Sequence, residues 1–313
     1  RDWSSDVCSS DLYQSLQANT TASNNTAVGY QALYSNTTGN QIVAIGSGAG
    51  YSNTTGTDSV FVGYHAGYLN TGAGHVAIGS NALGANTSAS FNTAVGYNAG
   101  QSNTTGDVTA LGMQTLKSNT TGVGNVAVGG YSNNLGVYGA LQLNTTGSYN
   151  TAMGVGALQA NTIAYYNTAV GYQAMYTNTT SQPNVAVGFQ SLYYNNGGIQ
   201  NTAVGHQAGY SNTTGQMAAV GFQALYNNTT GAANTAMGDY RPLFANTTGS
   251  YNTAFGNEAL TNNTTASSNT AVGYQAGYSN TDGGYGTFVG YLSGYNTTGA
   301  GGYNLNTFIG YAS

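Results

Sequence analysis

Apolar residues in this chain never run long. They come in twos and threes, broken by Asn, Thr and Gly, and the breaks fall at a fixed interval. The clearest unit is Asn25-Thr-Ala-Val-Gly-Tyr-Gln-Ala-Leu-Tyr-Ser-Asn-Thr-Thr-Gly39, followed by two variable residues. Its first glycine recurs at 29, 46, 63, 79, 96, 112, 129, 154, 171, 188, 205, 221, 238, 256, 273, 290 and 310. Of these 16 intervals ten are 17 residues and three are 16; the others are 18, 20 and 25. The 25-residue interval reads as holding a shortened repeat around Leu135-Gly136. Paired-helix repeats need roughly 33 residues or more. A period of 17 instead suits one coil of a β-solenoid, with two short strands and two turns.

The first strand of each coil is Thr26-Ala27-Val28-Gly29 or a relative such as Val43-Ala44-Ile45-Gly46, where β-branched residues favour extended backbone. Side chains alternate across a strand. Thr26 and Val28 therefore share a branched face, and Ala27 and Gly29 a small one that allows close backbone approach. The second strand is predicted over Tyr30-Gln31-Ala32-Leu33-Tyr34, and the turn is Asn36-Thr37-Thr38-Gly39, whose glycine is free to take positive φ. Each coil is expected to bury Val28, Ala32 and Leu33. That is too little apolar surface to order 17 residues, so coils must stack, pairing their strands and aligning identical side chains. The predicted fold is all-β: a parallel β-solenoid, or β-roll, of about 17–18 coils with about 17 residues per coil, roughly 80–85 Å long at the spacing of stacked strands.

One column tests the stacking directly. Asn lies seven residues after the marker glycine at Asn36, Asn53, Asn70, Asn86, Asn103, Asn119, Asn161, Asn178, Asn195, Asn212, Asn228, Asn263 and Asn280. Stacked asparagines can hydrogen-bond along the axis as a ladder, whereas a linker has no reason to hold that register. Many of them also begin an Asn-Thr-Thr triplet, the N-glycosylation acceptor pattern. The acceptor candidates are Asn36, Asn53, Asn103, Asn119, Asn144, Asn178, Asn212, Asn228, Asn246, Asn263 and Asn296. The repeat accounts for these triplets without glycosylation, because Asn and Thr suit turns and ladders.

Composition narrows the function. Only 4% of the 313 residues are charged, against about 25% in ordinary globular domains. With three Lys and Arg and a net charge of −5, no basic patch can form, so nucleic acid and acidic lipid are not expected partners. No stretch approaches the ~18 apolar residues of a spanning helix. The single cysteine, Cys8, excludes an internal disulfide and a cysteine-based zinc site. His65, His75 and His206 occupy different columns and read as incidental surface residues, so no metal site or cofactor is expected. Asp239, Arg241 and Glu258 surround the 18-residue repeat that contains Pro242, and a salt bridge from Arg241 to Glu258 on the next coil would patch it. Gly46-Ser47-Gly48-Ala49-Gly50 lacks the lysine of a phosphate loop, and Gly283-Gly284-Tyr285-Gly286 lacks the aspartate of a calcium-binding repeat. No nucleophile, base and orienting group stand together, and the chain is not expected to be an enzyme.

Tyrosine is the residue best placed to touch a partner. Tyr30, Tyr64, Tyr97, Tyr172, Tyr274 and Tyr291 share one column; Tyr34, Tyr51, Tyr68, Tyr176, Tyr210 and Tyr278 share another. Such stripes can bind sugars or a neighbouring chain, or stack on themselves. The first twelve residues, RDWSSDVCSSDL, follow none of this and resemble a translated sequencing adapter. They read as a non-native leader. The repeat domain then spans residues 13–313, and because it enters and leaves mid-repeat it reads as truncated at both ends.

The motif seen in Ile42-Val-Ala-Ile-Gly46, Val76-Ala-Ile-Gly79 and Asn125-Val-Ala-Val-Gly129 resembles the head repeats of YadA-like trimeric autotransporter adhesins. The Asn-Thr-Ala-Val-Gly-Tyr-Gln-Ala-Leu unit is also similar to shaft repeats of phage-tail-fibre-like proteins. The resemblance covers residues 13–313, although the 17-residue period is longer than the adhesin coil. It implies a left-handed β-roll, three chains side by side, in a fibre that is extracellular or on a cell or virion surface. The expected function is therefore a structural fibre or adhesin shaft that self-associates as a homotrimer or an end-to-end filament and possesses host or environmental glycans as candidate partners. The alternative is a monomeric ice- or glycan-binding solenoid.

Overall fold

The computed structural model describes residues 12–130, 136–298 and 305–313. The assigned leader lies outside them except for Leu12, as does Leu135. The chain divides into two compact units at Ile163 and Ala164. The first contains strands β1 (Thr26–Val28), β2 (Val43–Ile45), β3 (Val60–Val62), β4 (Val76–Ile78), β5 (Thr93–Val95), β6 (Val108–Leu111), β7 (Asn125–Val128) and β8 (Thr151–Met153). The second contains β9 (Thr168–Val170), β10 (Asn184–Val187), β11 (Asn201–Val204), β12 (Met217–Phe222), β13 (Asn234–Tyr240), β14 (Thr253–Phe255), β15 (Thr270–Val272), β16 (Thr287–Val289) and β17 (Thr307–Ile309). Each unit is a parallel β-solenoid in which every strand pairs with the equivalent strand one coil away. In the first, Thr26 faces Val43 and Val28 faces Ile45; in the second, Asn184 faces Asn201 and Val187 faces Val204. No helix among the described residues is long and apolar enough to cross a membrane.

The second predicted strand does not form. Tyr30–Tyr34 is a run of tight turns, with Gln31 and Leu33 at φ of 55° and 51°. These left-handed residues alternate with residues of negative φ. The turns nonetheless hydrogen-bond from coil to coil: Leu33 N–H donates to Ala49 C=O at 2.9 Å, and Ser35 N–H to Tyr51 C=O at 3.0 Å. The left-handed conformation costs an L-residue roughly 1–2 kcal/mol, a cost offset here by that ladder and by burial of the leucine.

The strand also faces the other way from expectation. Ala44, Ala77, Ala94, Ala186 and Ala203 are wholly buried, whereas Val28 is 46% exposed and Ile45 41%. The interior is too thin for a branched column on the strand wall, because the turn wall opposite already contributes the Ala32 and Leu33 columns. Alanine fits that gap, so Thr26 and Val28 point outward.

Bulk is redistributed wherever the leucine column changes. Glycine occupies it at Gly50, Gly67, Gly100, Gly209, Gly277 and Gly294, which relieves the strained φ but empties the core. Phe61 and Phe288, standing where the strand normally has alanine, refill it beside Gly50, Gly67, Gly277 and Gly294, and Met217 does so beside Gly209. A Cβ on Gly50 would lie 2.9 Å from the Phe61 ring, and one on Gly277 2.8 Å from Phe288.

Two irregular repeats are absorbed without breaking the stack. β7 pairs directly with β8, Val126 facing Thr151, so the 25-residue interval is one coil carrying an insertion rather than an added short repeat. In the 18-residue repeat the register shifts between Val220 and Phe222, so that Phe222 faces Tyr240 and Asp239 is the extra residue.

The paired Phe and Gly positions make a direct test. Phe61→Ala is expected to cost about 3–5 kcal/mol through the cavity it leaves, and Gly67→Leu alone should also destabilise by clashing with Phe61. In the Phe61→Ala background, Gly67→Leu should instead recover part of the loss. Urea denaturation of the four proteins measures the coupling; additive effects would contradict this packing.

Candidate functional site

Within each coil the polar interior is built from asparagine. Asn212 shows the full pattern: its Nδ2 donates to Asn195 Oδ1 at 3.1 Å and to Gly215 C=O at 3.0 Å, and its Oδ1 accepts from Asn228 Nδ2 at 2.9 Å. In the first unit Asn53 donates to Asn36, Asn86 to Asn70, Asn103 to Asn86 and Asn119 to Asn103. In the second, Asn195 donates to Asn178 and Asn280 to Asn263. Asn144 and Asn246 also belong to the ladder, donating to Asn119 at 2.7 Å and Asn228 at 2.8 Å. Counting from the marker glycine missed them because the long repeats displace them. The ladder is interrupted between Asn53 and Asn70, where a 16-residue repeat shortens the turn: Asn70 donates to Gly72 C=O, and Asn53 Oδ1 is left without a partner.

Ten of the eleven acceptor-pattern asparagines, all but Asn296, are buried with their amide nitrogens engaged or enclosed in this column. A glycan on one of those nitrogens has no room in the folded coil. Asn296 is exposed.

A second asparagine column, four residues before the marker glycine, was not recognised from sequence. Asn201 Oδ1 accepts the backbone N–H of Met217 at 2.8 Å, and Asn184 Oδ1 accepts that of Asn201 at 2.9 Å. Each amide thus caps the start of the next coil's strand. The signal was the recurring Asn-Thr-Ala, whose asparagine reads as a turn residue until the strand is placed.

His75 occupies this same column and is buried, contrary to its reading as a surface residue. Its Nδ1 accepts from Asn92 N–H at 3.2 Å, replacing the asparagine oxygen. Burial pushes its pKa down to about 4, against the opposing pull of backbone hydrogen bonds to Ala89 and Asn92. His206 stands in an aromatic column, stacked between Phe189 and Phe222 with ring centroids 5.0 and 5.1 Å away. Among the described residues no group of His, Cys, Asp and Glu could hold a metal.

The Arg241–Glu258 bridge is not formed. Arg241 Nε donates to Gln223 Oε1 at 2.8 Å and its guanidinium lies over the Tyr240 and Phe244 rings, while Glu258 accepts from Gln275. The inserted Asp239 moves Arg241 onto the end of a glutamine ladder, in which Gln190 donates to Gln173, Gln207 to Gln190 and Gln223 to Gln207. The side chain follows that ladder rather than the carboxylate.

The tyrosine columns stack face to face. Tyr34, Tyr51 and Tyr68 lie at 5.0 and 4.9 Å, and Tyr176, Tyr193, Tyr210 and Tyr226 at 5.2, 5.2 and 5.0 Å. Tyr278 stacks on Tyr295. In the other column Tyr172 stacks on Phe189, Tyr274 on Tyr291 and Tyr30 on Tyr13. Tyr64 and Tyr97 do not stack on one another, because Ser80 separates them; Tyr64 stacks on His65. Burial, with the Tyr194 hydroxyl beside it, pushes Tyr210 up to about 12. Inside a stack the ring faces are occupied and only edges and hydroxyls meet solvent.

What each unit leaves open is its outward strand face. Val28, Ile45, Ile78 and Met153 are exposed in the first unit, and Val204, Met237, Phe255 and Val272 in the second. No protein-family model matches the chain, and neither does any curated protein sequence or solved structure.

His75 makes acid stability a test of the second column. Unfolded histidine titrates near 6.5 and folded His75 near 4, so between those values the unfolded chain binds more protons. The contribution is complete above pH ~6.5 and is lost as pH falls towards 4, on the order of 3 kcal/mol. Hydrogen exchange of coils around residue 75, followed from pH 7.5 to 4, should show this loss. His75→Asn, which restores the repeat, should flatten it; an unchanged profile in that variant would contradict the assignment.

Proposed function

We propose that the chain is a structural segment of an extracellular or surface-displayed fibre or adhesin, and that its copies associate through the outward strand faces. The observation that carries this reading is the apolar character of those faces. Ordinary solvated sheets alternate apolar inward and polar outward positions. Here the outward position after the inward strand alanine or phenylalanine is Val, Ile, Leu, Met or Phe in every described strand, with Phe255 54% exposed. Contiguous exposed apolar surface of this kind marks an interaction site. A second copy of the same chain is the occupant that fits, because a strand face repeated at one coil spacing is matched by another face of equal spacing. With only 4% of residues charged, little repulsion opposes such contact. The adhesin-like and tail-fibre-like repeats support three chains side by side, and coil ends support end-to-end joining.

The alternative, a monomeric ice- or glycan-binding solenoid, gains one argument. Thr26, Thr93, Thr168 and Thr202 lie on the strands themselves, beside the outward valines. The column is mixed, however, with Val43, Val60 and Ala218 in equivalent places. An ordered hydroxyl array is therefore less well supported than an apolar contact.

Sedimentation equilibrium at micromolar concentration is expected to return three times the chain mass. Val204→Asn combined with Val272→Asn should lower it to that of a single chain while leaving thermal unfolding of the coils in place. A monomeric parent protein would overturn the self-association reading, and a variant that remains trimeric would move the interface elsewhere.

A further inference from the structure

Tyr194 departs from the repeat. Its position, six residues after the marker glycine, is held by Ser52, Thr177, Ser211 and Asn227 in other coils. The tyrosine is 46% exposed and lies against two members of the stack formed by Tyr176, Tyr193, Tyr210 and Tyr226. Its ring centroid is 4.7 Å from that of Tyr193 at an interplanar angle of 78°, and 5.3 Å from that of Tyr210 at 82°. Tyr194 N–H donates to Tyr210 C=O at 3.0 Å, which fixes the two residues against each other across neighbouring coils. Their hydroxyls stand side by side.

We propose that Tyr194 and Tyr210 form an oxidative cross-linking site, at which a peroxidase using hydrogen peroxide joins the two rings as dityrosine and ties one coil covalently to the next. The site stands apart from the self-association reading, since neither residue lies on the outward strand positions. Loss of one electron and one proton turns a phenol into a phenoxyl radical, with the unpaired electron shared between the oxygen and the ring carbons ortho and para to it. Two such radicals join through one ortho carbon each. The hydrogen on each joined carbon then passes to the phenolic oxygen of its own ring, which restores both hydroxyls. The two electrons and two protons removed at the start reduce one hydrogen peroxide to two waters. The ortho carbons flank the hydroxyls, so hydroxyls standing side by side bring the reacting carbons together. The new bond lies in the plane of both rings, and crowding by the hydroxyls beside it keeps those planes twisted. Rings already crossed at 82° need only close on one another, whereas stacked rings such as Tyr210 and Tyr226, 4° from parallel, would have to swing out of the column. Exposure brings the oxidant to Tyr194. A radical formed on Tyr176, Tyr193 or Tyr226 reaches Tyr210 by electron exchange between rings 5.2, 5.2 and 5.0 Å apart along the stack. Burial, with the Tyr194 phenol beside it, holds the Tyr210 pKa at about 12, so Tyr210 enters the reaction as the neutral phenol. The chain has a single cysteine and no internal disulfide to do the same work; a covalent tie between coils constrains the unfolded chain as a disulfide would.

Phenylalanine keeps the ring but cannot form a phenoxyl radical, so Tyr194→Phe and Tyr210→Phe remove the chemistry and leave the packing. The control is Tyr278→Phe, whose tyrosine stacks on Tyr295 at 5.1 Å and 12° with the planes near parallel. The intact chain and the three variants are treated with a haem peroxidase and hydrogen peroxide at neutral pH. The band of single-chain mass is recovered from a denaturing gel, read for dityrosine fluorescence, digested with pepsin and sequenced by mass spectrometry. In the parent protein and the control, the predominant cross-link should join the peptides carrying Tyr194 and Tyr210, with a mass two hydrogens below their sum. Dityrosine in that band should fall about tenfold in Tyr194→Phe and in Tyr210→Phe, while thermal unfolding of both variants stays close to that of the parent, which separates a lost site from a misfolded one. Absence of dityrosine from the single-chain band, cross-links found only between separate chains, a predominant link at another pair (Tyr193 with Tyr194 included), or yields unchanged in Tyr194→Phe would each overturn the proposal.

Discussion

An asparagine side chain has two donors and an acceptor oxygen, and a regular coil such as that of Asn212 uses all of them, whereas Asn53 and Asn280 leave Oδ1 unpartnered. One donor goes to the same residue on the neighbouring coil, one to the turn glycine three residues on, and the oxygen receives the asparagine from the other side. A buried amide left unpaired costs about 1–3 kcal/mol, so each coil can bury its asparagine only if its neighbours bring theirs to the same height. Within each unit the register of the stack follows from that requirement. Insertions are pushed to places where they do not move the column, as the 25-residue interval shows by returning Asn144 to Asn119.

The thin interior is the second consequence. Two walls joined by amide ladders leave space for alanine on the strand and leucine on the turn, and a change on one wall must be answered on the other. Phe61 beside Gly50 and Gly67, and Phe288 beside Gly277 and Gly294, are two separate solutions to the same volume problem. Because the interior is filled by small residues, the branched residues that favour strand backbone have nowhere to go but outward. The face proposed for contact between copies thus arises from the same constraint that closes the core.

The surface columns divide by whether the repeat completes them. Complete columns satisfy themselves: tyrosines cover tyrosines, and glutamines bond to glutamines up to Arg241, which ends its ladder. In a chain with only 4% charged residues, departures from the repeat stand out against its uniform surface columns.

The sequence by itself determined the coil length, the position of the paired strand, the parallel in-register stacking and the first asparagine column, because each depends only on spacing along the chain. It also placed the tyrosine columns, though not which of them close on themselves. The tertiary structure decided the direction of the strand face, since that depends on the room left by Leu33 and Ala32 on the opposite wall. It decided that Tyr30–Tyr34 turns rather than extends, because a ladder between coils can be built from alternating left-handed residues as well as from a strand. It also revealed the second asparagine column, the burial of His75 and the partner of Arg241. Those are relations between coils at a given height, and a single displaced residue such as Asp239 changes them without altering the repeat that surrounds it.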